Sequence, residues 1–145
     1  MNNEVIILFP LNNEKLENML YRSLEQFNLF DSNVTFLHCI KELNPSLLLT
    51  GYMDSKIDYE KVKQSTRKYM ASEILTFYPK VKDNWKFKSI SSTSPKQAIL
   101  AEVNKNPNAL IITAIERRSL LGNIFHSSMT EFLVKHANTN ILIIK

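Results

Sequence analysis

Glycine is nearly absent: the 145-residue chain has two, Gly51 and Gly122. Phosphate-cradling loops need several, because backbone N–H groups must curl close around the anion. Neither a Walker loop nor a dinucleotide fingerprint can be written from this sequence. Cysteine is rarer still, and the single Cys39 excludes an internal disulfide. No apolar run approaches the roughly 18–20 residues of a membrane helix. Val5–Phe9 is too short for a signal peptide, and no basic segment precedes it. The expectation is a cytoplasmic protein in a reducing compartment with no membrane partner. His38, His126 and His136 show no metal-type spacing to one another or to Cys39, so no metal is expected. The net charge of +4 is mild and spread along the chain. Lys61, Lys63, Arg67 and Lys68 read as the solvated face of a helix, and no exposed aromatics interleave them, which argues against a nucleic-acid partner.

What is present alternates between strand and helix periods over a length suited to one domain, residues 1–145. Val5–Phe9 reads as a strand buried on both faces, ended by Pro10. Asn12 and Asn13 can cap a helix carrying Leu16, Met19, Leu20, Leu24 and Phe27 at helical spacing. After the turn Asp31-Ser32-Asn33, Val34–Ile40 reads as a second strand. Residues 41–54 read as a connecting loop partly covering the core. A long helix is expected from Ser55 to about Tyr78, with Ile57, Val62, Tyr69, Met70, Ile74 and Phe77 inward, stopped by Pro79. Asp54, Asp58 and Glu60 suit its positive dipole end better than paired catalytic roles. Trp85–Ile90 reads as a third strand, of mixed character that suggests a sheet edge. Ser94-Pro95-Lys96-Gln97 signals a capped helix start, with Ile99 and Val103 toward the sheet. Ala109–Thr113 is a fourth strand, followed by a longer, unusually apolar loop from Ala114 to His126. Ser128-Met129-Thr130-Glu131 is a second capping-box signature, opening a helix to Ala137. Ile141–Ile144 is a fifth strand.

Strands separated by helices imply right-handed crossovers and a parallel sheet covered on both faces. With the order 3-2-1-4-5, the strand order reverses between the first and fourth strands, and ligands bind at such a reversal outside the carboxyl ends. The turn Pro10–Asn13 and the loop from Ala114 to Ser128 meet there. The latter ends in a helix N-terminus, which favours anions.

Several stretches now match a known pattern. Strand one followed by Phe9-Pro10-Leu11-Asn12 resembles the "V-P-V-D" opening of the universal stress protein family. Leu37-His38-Cys39 resembles its "L-H-V" second strand, and Thr93-Ser94-Pro95 with Ile99 its "G-x-P-x-x-x-I" stretch. Ala109–Thr113, then Ser127–Ala137 and Ile141–Ile144, resemble its closing "D-L-I-V-V-G … G-S-V-x-E-x-V-x-R-H-A-x-x-P-V-L-V-V". The resemblance spans essentially the whole chain in order. It implies an adenine nucleotide alpha hydrolase-like fold, a five-stranded parallel sheet of order 3-2-1-4-5 with helices on both faces, and a bacterial stress-response protein. ATP-binding members carry G-x-x-G and, after a spacer, G-S or G-T. Laid on this sequence, the glycine positions fall at Ala114, Arg117 and Ser127, with Ser128 in the hydroxyl position. All three glycines are missing, and the family's aspartate after strand one is Asn12, a neutral amide.

On that resemblance the candidate ligand contacts are Pro10, Leu11, Asn12, His38, Cys39, Thr113, Ala114, Arg117, Arg118, Ser127, Ser128 and Met129. Two outcomes stand open. Either the ATP site is lost and no cofactor is used, which the missing glycines favour. Or ATP with Mg, AMP or another anion is held by Arg117, Arg118 and the Ser127-Ser128 helix start. His38 has no Ser or Asp placed to complete a triad, so packing is its simpler role. Cys39 reads as a small buried hydrophobe. No nucleophile–base set or redox motif can be assembled, and an enzyme is not expected. The family commonly dimerises through its last strand, so Ile141–Ile144 is the expected homodimer edge. The apolar loop residues Leu120, Leu121, Ile124 and Phe125 either fold onto the core or meet a further protein partner.

Overall fold

The computed structural model describes residues 3–43, 57–115 and 128–145. Expectations that fall on 44–56 and 116–127, the apolar loop and Arg117, Arg118 and Ser127 among them, lie outside the described residues. Chain order is β1 (Glu4–Leu8), α1 (Glu14–Gln26), β2 (Asn33–Lys41), α2 (Tyr59–Phe77), β3 (Trp85–Ser92), α3 (Pro95–Asn104), β4 (Leu110–Ala114), α4 (Ser128–His136) and β5 (Asn140–Ile144). The strands form one sheet of order β3-β2-β1-β4-β5, parallel throughout.

Strand alternation divides the core between the two faces of the sheet. Val5, Ile7, Val34, Phe36, Trp85 and Ile112 pack with Leu20, Tyr21 and Leu24 of α1 and Met70 and Ile74 of α2. Ile6, Leu37 and Ile111 face the other way, onto Ile99 and Val103 of α3 and Leu133 of α4. Central strands covered on both sides carry near-continuous apolar runs, as β1 and β4 do. β3 is indeed an edge, with Lys86 and Lys88 exposed along it.

Four expectations need correction. α2 begins at Tyr59 rather than Ser55, because Asp58 caps it by accepting the Lys61 N–H at 3.3 Å. Its buried stripe is Thr66, Met70 and Ile74, spaced by four. Ile57 precedes the helix, while Val62 and Phe77 lie at the margins of that stripe; all three are exposed. Thr66 tolerates its buried position by donating its hydroxyl to the Val62 carbonyl at 2.9 Å. On α1 the buried residues include Glu17 and Tyr21, whereas Phe27 is the C-cap and is exposed. Ser94 makes no side-chain cap bond, although Pro95 stands at the helix start as expected.

Candidate functional site

The carboxyl ends of β1, β2 and β4 enclose a cleft of about 240 Å³. Its walls come from Leu8, Phe9 and Pro10 after β1, Leu37, His38 and Cys39 of β2, and Thr113 and Ala114 of β4. Leu16 of α1, Ile99 of α3 and Met129 of α4 close it. Six of the residues singled out from sequence therefore meet in one place: Pro10, His38, Cys39, Thr113, Ala114 and Met129. Leu8, Phe9, Leu16, Leu37 and Ile99 were not singled out. They are core-type side chains that become walls only because their strand or helix ends at the crevice.

The cleft is mostly apolar, with a few polar groups in fixed states. His38 Nδ1 lies 3.0 Å from the Phe9 carbonyl, which can only accept, so Nδ1 carries the hydrogen. Burial lowers the His38 pKa, partly offset by that bond, so the ring is neutral near neutral pH and its Nε2 is a bare acceptor. Burial, with Glu42 adding to it, raises the Cys39 pKa and keeps the thiol protonated and unreactive. Thr113 is buried, and its hydroxyl meets that of Thr130 on α4 at 3.3 Å. Hydroxyls paired in this way are satisfied by the fold itself. Among the described residues no hydroxyl or thiol hydrogen-bonds to His38.

Leu11 and Asn12 do not join the cleft. The Asn13 N–H bonds to the Pro10 carbonyl at 3.1 Å, and this tight turn holds Asn12 at φ 63. Asn12 lines instead a pocket of about 460 Å³ with Glu14, Glu17, Tyr69 and Glu73. With Leu11 it also borders a second hollow over Lys61, Val62 and Tyr69. An aspartate at position 12 would add a fourth carboxylate to that acidic pocket, which gives the neutral amide a local electrostatic reason. Glu17 was missed from sequence. Its signal was an acidic residue on the stripe of Leu20, Tyr21 and Leu24, three and four residues apart.

Of the three positions where the family's ATP-binding motif has glycine, only 114 lies among the described residues. At the first family glycine position Ala114 puts a Cβ on the cleft wall. The volume also lies below the roughly 300–1,000 Å³ of ordinary small-molecule sites. A larger hollow, about 690 Å³, opens near the amino ends of the strands, between β3 and α3. There Lys88 pairs with Glu102 at 2.8 Å, and Lys105 takes the other carboxylate oxygen. Its strongest charges thus answer each other. Among the described residues no group of His, Cys, Asp or Glu is placed to hold a metal ion. None of the described helices is long and apolar enough to cross a membrane.

A profile of the universal stress protein family matches residues 6–145. No curated protein matches in sequence. Among solved structures, a universal stress protein from Archaeoglobus fulgidus superposes with a TM-score of 0.67 at 15% identity, covering 100% of both chains. Universal stress protein UspA from Lactobacillus plantarum gives 0.62 at 19%, again covering 100% of each. A universal stress protein in complex with cAMP gives 0.60 at 8%, covering 99% of this chain and 98% of that one.

Proposed function

Because the chain belongs to the universal stress protein family, we propose that it is a regulatory or protective binding module, acting as a homodimer and without ordinary ATP binding. The observation that carries this reading is the cleft itself: about 240 Å³, apolar-walled, with the Ala114 Cβ where a phosphate cradle needs bare backbone. Such a cleft suits one small planar or apolar group rather than a triphosphate with its metal. Regulation then lies in what the module binds and touches, since among the described residues no nucleophile–base set accompanies His38.

The homodimer reading rests on the contrast between the two sheet edges. β5 offers Ile141, Leu142, Ile143 and Ile144, all half-buried, with no charge from Asn140 to Ile144. β3 carries Lys86 and Lys88, which would confront their own copies across a two-fold axis. A second reading keeps a nucleotide, with Arg117, Arg118 and the start of α4 at Ser128 as phosphate partners. It is favoured by one relative's complex with cAMP.

Calorimetric titration with Mg-ATP, AMP and cAMP separates the two, together with chromatography of any nucleotide released on denaturation. The first reading expects no Mg-ATP heat and no released nucleotide. Micromolar Mg-ATP affinity that is lost in an Arg117→Ala, Arg118→Ala variant would establish the second.

A further inference from the structure

The seam between α1 and α2 is held by two tyrosine hydroxyls. Tyr78, just past α2, donates to the Tyr21 carbonyl at 3.0 Å and reaches Glu25 Oε1 at 3.3 Å. Tyr69 donates to Glu17 Oε1 at 3.3 Å. Glu17 is only 2% exposed. No described ion pair reaches it; the charges around it are Glu73 on α2 and Glu14 one turn earlier. β4 and β5, which also pack against α1, bring no ionisable side chain. Tyr21 adds a second, independent anomaly. Its hydroxyl is fully buried with no hydrogen-bond partner among the described residues, in the field of Glu17 and Glu73.

A buried carboxylate among like charges is costly, and a proton removes the charge while supplying an O–H donor. The seam also supports the turn at the cleft. Tyr69 meets the Phe9 ring edge-on at 6.3 Å, and Phe9 leads into the turn that carries Pro10 into the cleft wall. We propose that Glu17 is a proton-responsive latch between α1 and α2. Its protonation tightens α2 onto α1 and steadies the Pro10–Asn13 turn, and its ionisation loosens both. The latch acts whatever occupies the cleft and whether or not the chain dimerises.

The sign follows from the burial that raises the Glu17 pKa, with the Tyr69 bond lowering it in part and Glu73 and Glu14 raising it further. Ionisation then penalises the folded seam above the folded pKa. The penalty is relieved as pH falls toward the ordinary carboxylate value.

Carbon-detected NMR titration of the Glu17 carboxyl in the unaltered chain is the first test. Its midpoint should lie above 4.5, the ordinary value, and Glu73→Gln should lower it. Hydrogen-exchange protection of α2 amides is the second, taken from about pH 8 down to about pH 4.5 so that the window reaches the ordinary carboxylate value. Protection should rise with acidification in the wild type. In Glu17→Gln it should already be high at the alkaline end and change less. His38 titrates identically in both chains, so the difference between them isolates Glu17. A Glu17 midpoint at or below 4.5, or parallel protection curves, would overturn the proposal. Should Glu17→Gln fail to fold, the titration with its Glu73→Gln shift decides alone.

Discussion

The bond from His38 Nδ1 to the Phe9 carbonyl fixes a tautomer and, with burial, a charge state. A depressed folded pKa means that the unfolded chain takes the proton first as pH falls below about 6.5. The stability contributed by neutral His38 is therefore present above that pH and declines between the unfolded and the folded pKa. Urea midpoints should fall across this window in the wild type and fall less in His38→Asn, whose amide can still donate to Phe9. Identical slopes would mean that the ring is not held neutral. Glu102 behaves as the opposite kind of carboxyl from Glu17. Burial pushes its pKa up, but hydrogen bonds from Lys105 and Lys88 outweigh it and leave the pKa lowered. The stability Glu102 contributes is present above the ordinary carboxylate range and lost as pH falls through its folded pKa. The states of His38 and Glu17 were not legible in the sequence, because each depends on a partner far along the chain, Phe9 and Tyr69; that of Glu102 rests in part on Lys105, three residues on, and in part on Lys88 on β3.

Helix ends separate local from tertiary information at the next scale. Asn13 was named as a cap from its position before an apolar stripe, and its Oδ1 does accept the Leu16 N–H at 3.2 Å. Asn13→Ala should cost about 1 kcal/mol in chemical denaturation. Ser94 carried an equally good cap signal yet makes no such bond. Ser94→Ala should therefore stay within about 0.5 kcal/mol of the wild type, and a loss as large as that of Asn13→Ala would show an unseen cap. α1 ends with Asn28 at φ 52, the Leu29 N–H on the Leu24 carbonyl at 2.8 Å and the Asn28 N–H on the Glu25 carbonyl at 3.1 Å. This is the left-handed close usually taken by glycine, made here with asparagine in a glycine-poor chain. The α2 stripe was half legible. Met70 and Ile74 were identified, but Thr66 was passed over because a hydroxyl does not look like core until its bond to Val62 is seen. Met70→Ala, at a fully buried position, should cost about 2–5 kcal/mol.

For the whole molecule, the homodimer proposed through β5 is tested at the two edges of the sheet. Leu142→Lys with Ile143→Lys should give the monomer mass in light scattering, while Lys86→Ala on β3 should leave the dimer unchanged. A dimer surviving the β5 changes would move the interface elsewhere. The parallel α/β architecture belongs among the things the residues determined by themselves. Five apolar runs separated by amphipathic ones imply right-handed crossovers and a parallel sheet, and the order β3-β2-β1-β4-β5 is the one the family resemblance implies. Periodicity reports only which face of each element must leave water; the order of the strands came from the family resemblance. The missing glycines were equally plain, since the steric demand they answer is local. Tertiary structure alone decided that Asn12 leaves the cleft for an acidic pocket, that the cleft is small and apolar, and that a glutamate lies buried between two helices. Those outcomes depend on how helices lean on the sheet and which side chains then share a low-dielectric space. Pairwise distances between segments set both, and no local pattern encodes them.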